Sequence, residues 1–160
     1  MEIRQATMED LTAILKIYER ARVFMAEQGN PTQWGTTWPP ESAVLEDIAT
    51  GTGYVAVESG EILGVCHYRF GEDTEPTYRD IDGAWKRDGA YGVIHRIAAK
   101  RSGTGAGEVL IRWAIGRSGH LRIDTHEDNL PMRKLLKKLG FVHCGIITVR
   151  DGSKRMAFEI

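Results

Sequence analysis

The stretch from Tyr91 to about Gly116 constrains the fold of this chain more than any other. Tyr91–Ala98 is an apolar run of strand length. Ser102-Gly103-Thr104-Gly105-Ala106-Gly107 follows it, and Val109, Leu110, Trp113 and Ala114 then recur at helical spacing. A strand that turns through glycines into a helix implies helices layered on a sheet. The first N–H groups of a helix lack intrahelical partners, and with the helix dipole they favour an anion. Glycines before them let a ligand approach the backbone. A pyrophosphate fits that chemistry; a flexible connection is the competing reading.

The rest of the chain reads as follows. Residues 2–6 form a short strand, and Thr7 with Asp10 resembles a capping box. Leu11, Ile14, Leu15, Tyr18 and Met25 mark an amphipathic helix over 8–27, which Gly29-Asn30-Pro31 stops. Residues 41–50 are a second helix. Tyr54–Val57 and Ile62–Phe70 are strands joined through Ser59-Gly60, a hairpin signal. Residues 71–90 are polar and read as one long loop, a length that in compact domains is often functional. After the glycine segment and its helix come a strand at His120–Asp124, a helix at Asn129–Leu139 ended by Gly140, a strand from Phe141 and a last strand at Met156–Ile160. The order β-α-α-β-β-β-α-β-α-β-β predicts one α/β (α+β) domain over 1–160. Asp128 is a candidate N-cap for the helix at 129.

Two known glycine loops fail. A P-loop needs Lys-Ser/Thr after its last glycine, where this chain has Glu108-Val109. A dinucleotide fingerprint opens a βαβ unit early in its domain, whereas this segment lies late. Instead, Ser102-x-x-Gly105-x-Gly107 before Val109-Leu110-Ile111 resembles the (Arg/Gln)-x-x-Gly-x-(Gly/Ala) coenzyme A loop of the GNAT superfamily. Asn129 followed by Leu135-Leu136-Lys137-Lys138-Leu139-Gly140-Phe141 resembles that superfamily's next motif. The resemblance spans essentially the whole chain. Ser102 departs from the usual Arg or Gln, with Lys100 and Arg101 alongside. Leu136 stands where many members carry the Tyr assigned as general acid, so that role does not carry over.

The resemblance implies a mixed, mostly antiparallel central sheet of six to seven strands flanked by about four helices. It implies acetyl-CoA as co-substrate and direct attack of an amine on its thioester in a ternary complex. The backbone of Ile97 and Ala99 would then pair with the pantetheine arm. The amides of Thr104, Gly105, Ala106, Gly107 and Glu108 would hold the pyrophosphate, with Ser102 and Gly103 also in the cofactor site, and Asn129 would line the acyl tunnel or bond the pantetheine. An alkylammonium has a pKa near ~10.4, so the acceptor needs a base near the thioester. His95 is the one side chain on its strand that titrates near neutrality. Ile94-His95-Arg96-Ile97-Ala98 resembles the Leu-His-Ala-Leu-Ala context of the arylalkylamine members, which makes His95 the candidate general base. A core histidine bonded to a carbonyl is the competing reading. Asp124 and His126 are alternative flanking groups. Cys144 is a candidate acid, or a small buried apolar side chain. His126, Glu127 and Asp128 are adjacent on one loop, which is poor ligand geometry, so no metal is inferred.

The segment Gly29–Trp38 and the loop before Tyr91 match the superfamily's acceptor-pocket positions. Asn30, Gln33, Trp34 and Trp85 are the candidate acceptor-binding residues, the tryptophans by walling the pocket or stacking on a cation. Charge is divided: residues 1–90 carry −8 and residues 91–160 carry +7, for a net −1. That near-neutral total argues against a nucleic-acid binder, while the basic half suits a small polyanion and the acidic half a cationic amine. Two cysteines make no disulfide framework. With no membrane span or signal-like start, the expected location is cytoplasmic. The expected function is transfer of acetyl to a primary amine of a small molecule. A protein or peptide N-acetyltransferase and a non-catalytic acyl-CoA-binding regulatory module remain open, as does a homodimer.

Overall fold

A computed structural model describes residues 1–160. Strands β1 (Glu2–Gln5), β2 (Gly53–Glu58), β3 (Glu61–Gly71), β4 (Ile81–Gly83), β5 (Tyr91–Ala99), β6 (Leu121–Thr125), β7 (Val142–Thr148) and β8 (Lys154–Glu159) form one sheet in the order β1-β2-β3-β5-β6-β8-β7-β4. Helices α1 (Leu11–Glu27), α2 (Glu41–Thr50), α3 (Ala106–Ser118) and α4 (Leu130–Lys138) complete it. All pairings are antiparallel except β5 with β6. No helix is long and apolar enough to cross a membrane.

The sheet has eight strands rather than six to seven. The extra one, β4, lies in the stretch 71–90 read as loop, which also holds a short 3-10 turn at Pro76–Tyr78. Three residues are too few to show an alternating pattern. β4 exists because β7 offers it an edge, and Gly83 meets Gly145 there so closely that a Cβ on either would strike the other strand's backbone. Asn129, not Asp128, caps α4, its side chain accepting from the Met132 N–H at 3.3 Å. The β2–β3 turn is the expected hairpin, with Ser59 and Gly60 both at positive φ.

Three apolar clusters hold the layers. On one face, α3 and α4 pack Leu110, Ile111, Ala114 and Leu136 onto Tyr54, Cys66, Ile94 and Ile123. On the other, α1 and α2 bring Ile14, Ile17, Tyr18 and Val44 onto Val55, Val65 and Ala98. Further along that second face, Tyr78 and Trp85 from the 71–90 segment cover Tyr91, Val93, Ile147 and Ala157. The cover is therefore interrupted between the helices and the 71–90 segment, and the gap lies over the middle of the sheet.

Two irregularities shape that gap. β5 pairs with β6 only at Gly92–Leu121 and Val93–Arg122, so from Ile94 onward the β6-facing edge of β5 has no strand partner. On its other side, the register with β3 slips between His67–His95 and Val65–Ala98. Arg96, at φ +49, is the extra residue of this bulge. Consequently Ile94 and Ile97 both contact the α3/α4 core, while Ala98 joins the α1/α2 core. The bulge is held from outside: the Tyr18 hydroxyl donates to the Arg96 carbonyl at 2.8 Å.

Candidate active site

A cavity of about 710 Å³ opens in the gap, lined among others by His67, Glu75, His95, Asp124, Asn129 and Arg155. His95 projects into it from β5. Its Nε2 lies 2.9 Å from Glu75 Oε2, and its Nδ1 lies 3.8 Å from Asp124 Oδ2. Burial pushes the Glu75 carboxyl up, but hydrogen bonds from His95 and Thr77 outweigh it and hold the group down to about 2. An ionised carboxylate can only accept, so His95 donates Nε2–H to Glu75. Neutral His95 then carries its lone pair on Nδ1. At 3.8 Å Asp124 is too far for a hydrogen bond, and its Oδ2 already accepts from the Tyr78 hydroxyl at 2.7 Å. A proton taken up at Nδ1 would find both carboxylates beside the new charge. This is the geometry of an oriented base.

Glu75 gives a pH signature. Its folded pKa lies below the ordinary 4.5, so it contributes stability above that value and loses the contribution as pH falls from 4.5 toward 2. With solvent screening allowed for, wild type is expected to lose about 1–2 kcal/mol more than Glu75→Gln across that window. Urea denaturation at stepped pH checks it, and parallel acid limbs would refute it.

A second charged group fixes the floor of the cavity. Asp47, on α2, accepts both Arg96 Nη2 contacts at 2.6 and 2.8 Å and the His67 Nδ1–H at 2.8 Å. Burial alone would raise Asp47, but His67 and Arg96 hold it below the usual carboxylate range. Burial pushes His67 down despite Asp47. Asp47 thereby ties α2 to β3 and to the bulge beside His95.

The glycine segment forms the N-terminus of α3. Gly103 and Gly105 sit at φ +80 and +75, which explains a glycine at each. Gly107 is different. It is helical, with only open space where a Cβ would stand. Glycine costs a helix roughly 0.5–1 kcal/mol relative to alanine, and no protein neighbour requires it there. The Gly107 and Glu108 amides precede the first i→i−4 bond, from Val109 N to Gly105 O at 3.0 Å. Free amides, a bare backbone and the dipole of a 13-residue helix suit the pyrophosphate of coenzyme A. The Glu108 carboxylate beside them is neutralised by Lys138 and Arg112 at 2.6 and 2.9 Å. The unpartnered edge of β5, including Ile97 and Ala99, runs from this helix end to His95.

These observations meet the comparisons with known proteins. Residues 11–141 match the acetyltransferase (GNAT) family. The chain belongs to the GNAT acetyltransferase family. A GNAT-family acetyltransferase from Streptococcus agalactiae 2603 is 29% identical and superimposes with a TM-score of 0.88 over 99% of this chain and 93% of that one. A ribosomal-protein-alanine N-acetyltransferase from Brucella melitensis shares the fold at 20% identity, TM-score 0.62, over 100% and 99% of the two chains. An agmatine N-acetyltransferase shares it at 14% identity, TM-score 0.64, over 99% and 98%. No curated protein matches the sequence significantly. One fold thus serves a protein and a small-molecule acceptor, so the acceptor must be argued from the site.

The remaining candidates separate. Gln33 and Trp34 line the cavity; Asn30 and Trp85 do not. Gln33 Oε1 gathers donors from Asn30 at 2.8 Å, Asn129 at 3.1 Å and the His126 amide at 3.4 Å. It thereby latches the α1–α2 loop to the start of α4. Asn30 is buried in that latch. Trp34 packs edge-on against Tyr18. Trp85 donates to the Tyr78 carbonyl and stacks on Arg122, away from the cavity. His126 Nδ1 accepts from the Asp128 amide and lies off the cavity. Cys144 lies on β7, three strands from β5, its thiol pushed up by burial. Ser102 and Thr104 lie in the turn before α3, where the Thr104 hydroxyl accepts from the Ala106 amide at 3.3 Å. No group of three or more His, Cys, Asp or Glu side chains is arranged to hold a metal ion. Glu75 and Asp47 escaped sequence reasoning, being ordinary acids in a polar loop and on a helix face.

Proposed function

We propose that residues 1–160 form one catalytic domain that acetylates a primary amine of a small molecule, with acetyl-CoA as donor and His95 as general base. The single observation that carries this reading is His95 oriented by Glu75 beside Asp124, at the end of a free strand edge leading from an anion-binding helix terminus. Bound acetyl-CoA supplies an activated acyl carbon and a thiolate leaving group. His95 Nδ1 takes a proton from the acceptor ammonium. The freed nitrogen lone pair forms the amide bond as the C–S bond breaks, and the sulfur keeps that electron pair. Of the two protons the nitrogen gives up, one ends on the thiol and one in solvent. No tyrosine lines the cavity, and Leu136 is buried in the core, so water serves as acid for the thiolate. A small acceptor is favoured because Trp34 and the latched α1–α2 loop wall one side of the cavity beside His95.

The test is thiol release from acetyl-CoA with a panel of amines, read with DTNB. Amine-dependent release supports an enzyme. Stabilisation by acetyl-CoA, about 2.7 kcal/mol at 100 times its Kd, without release from any amine would instead establish a non-catalytic binding module.

A further inference from the structure

We infer that the acceptor carries a carboxylate as well as its amine, and that Arg155 binds it. The inference deepens the reading above and rests on it. Arg155, on β8, lines the cavity and is 7% exposed. Its hydrogen bonds all go to neutral oxygens: Ser153 Oγ at 2.8 Å, the Lys154 carbonyl at 3.0 Å and the Gln33 carbonyl at 3.2 Å. The other buried arginine and the one at the bulge have carboxylates, Arg122 with Glu159 at 2.9 Å and Arg96 with Asp47 at 2.6 Å. Arg155 has none within ion-pair distance. Asp151 is near enough to feel its charge but is exposed and bonded to Ser153. A buried cation without a counterion is costly, and a guanidinium fork matches a carboxylate in two parallel hydrogen bonds.

Placement agrees. Val93 pairs with Arg122 and Asp124 with Ala157, so the alternation of side chains puts His95, Asp124 and Arg155 on one face of the sheet. The cavity's charges sort along that face. Asp47 and Glu75 are occupied by Arg96 and His95. The exposed Arg69 and Arg150 at the same cavity are offset by the exposed Glu46 and Asp151, which leaves Arg155 as its buried cation without a counterion. A zwitterion satisfies both ends: its ammonium faces the His95 base and its carboxylate faces Arg155. Free amino acids and short peptides with a free C-terminus share this chemistry.

The experiment compares free amino acids, their carboxamides, and dipeptides with free or amidated C-termini in the thiol-release assay. Wild type is expected to prefer each acid over its amide by about 10- to 100-fold in kcat/KM, chiefly through KM. Arg155→Gln should bring that ratio to within about threefold of unity, and Arg155→Lys should keep part of it. Preference for free amino acids or for free-ended dipeptides identifies the source. Equal use of acids and amides by wild type overturns the inference while leaving the acetyltransferase reading intact. So does an Arg155→Gln loss that leaves the ratio unchanged, which is what a guanidinium that only pins Gln33 would give. No release with any of these compounds overturns this inference alone; no release across the wider amine panel overturns the acetyltransferase reading with it.

Discussion

Replacing His95 by alanine is expected to lower acetyl transfer by about 10²- to 10⁴-fold near neutral pH, while acetyl-CoA binding persists. The reason lies in the two ends of the imidazole. Nε2 is committed to Glu75, which leaves Nδ1 to take the proton. Between the titration of an ordinary histidine and that of an alkylammonium, the acceptor is protonated and needs the base. The deficit should therefore narrow as pH rises toward ~10, where the amine loses its proton unaided. Glu75→Gln should cause a smaller loss, because imidazole and amine remain but the ring loses its charged orienter. Asp124, Tyr78 and His67 also face the ring, so the profile is measured with Asp124→Asn alongside. A pH–rate profile for His95→Ala that overlays wild type would refute the assignment. Binding is followed separately by thermal stabilisation with acetyl-CoA.

The largest expected effect on stability comes from Asp47→Ala. Asp47 is the one carboxylate that neutralises Arg96 and accepts from His67. Removing it strands a guanidinium and an imidazole against the core. Losing one partner of a buried pair costs about 3 kcal/mol or more, which for a chain of this size lowers Tm by about 10 °C. Arg96→Leu combined with Asp47→Leu should recover part of the loss, since two apolar groups avoid the unpaired charge. Thermal and urea denaturation of the two variants test this. A change below about 1 kcal/mol for Asp47→Ala would show that water reaches the pair freely.

The bulge and its ion pair mark where sequence reading ends. Alternation along Val93-Ile94-His95-Arg96-Ile97-Ala98 would put His95 and Ile97 on the same face. The extra residue at Arg96 separates them, packing Ile97 against the α3/α4 core and leaving His95 beside Glu75. A positive φ at an arginine has no signature in one sequence, because it is sustained by Tyr18 and Asp47, 78 and 49 residues away. β4 was illegible for a similar reason: three residues become a strand only when β7 stands beside them. Gln33 showed itself as a polar group near the acceptor segment, but not as the hub that fastens Asn30 and Asn129.

What the sequence determined by itself was local and repetitive. The helical and strand periods placed all four helices and seven of the eight strands. The order of the glycine segment and the Asn129–Phe141 motif indicated the family. Gly107 leaves bare backbone in the first turn of α3 that no protein neighbour imposes. Only the tertiary structure decided the site. It set Glu75 and Asp124 against the two nitrogens of His95, bent β5 at Arg96 and left Arg155 buried without a counterion. Those relations join residues dozens of positions apart, and they depend on register, a property that pairing between strands creates and that no single strand encodes.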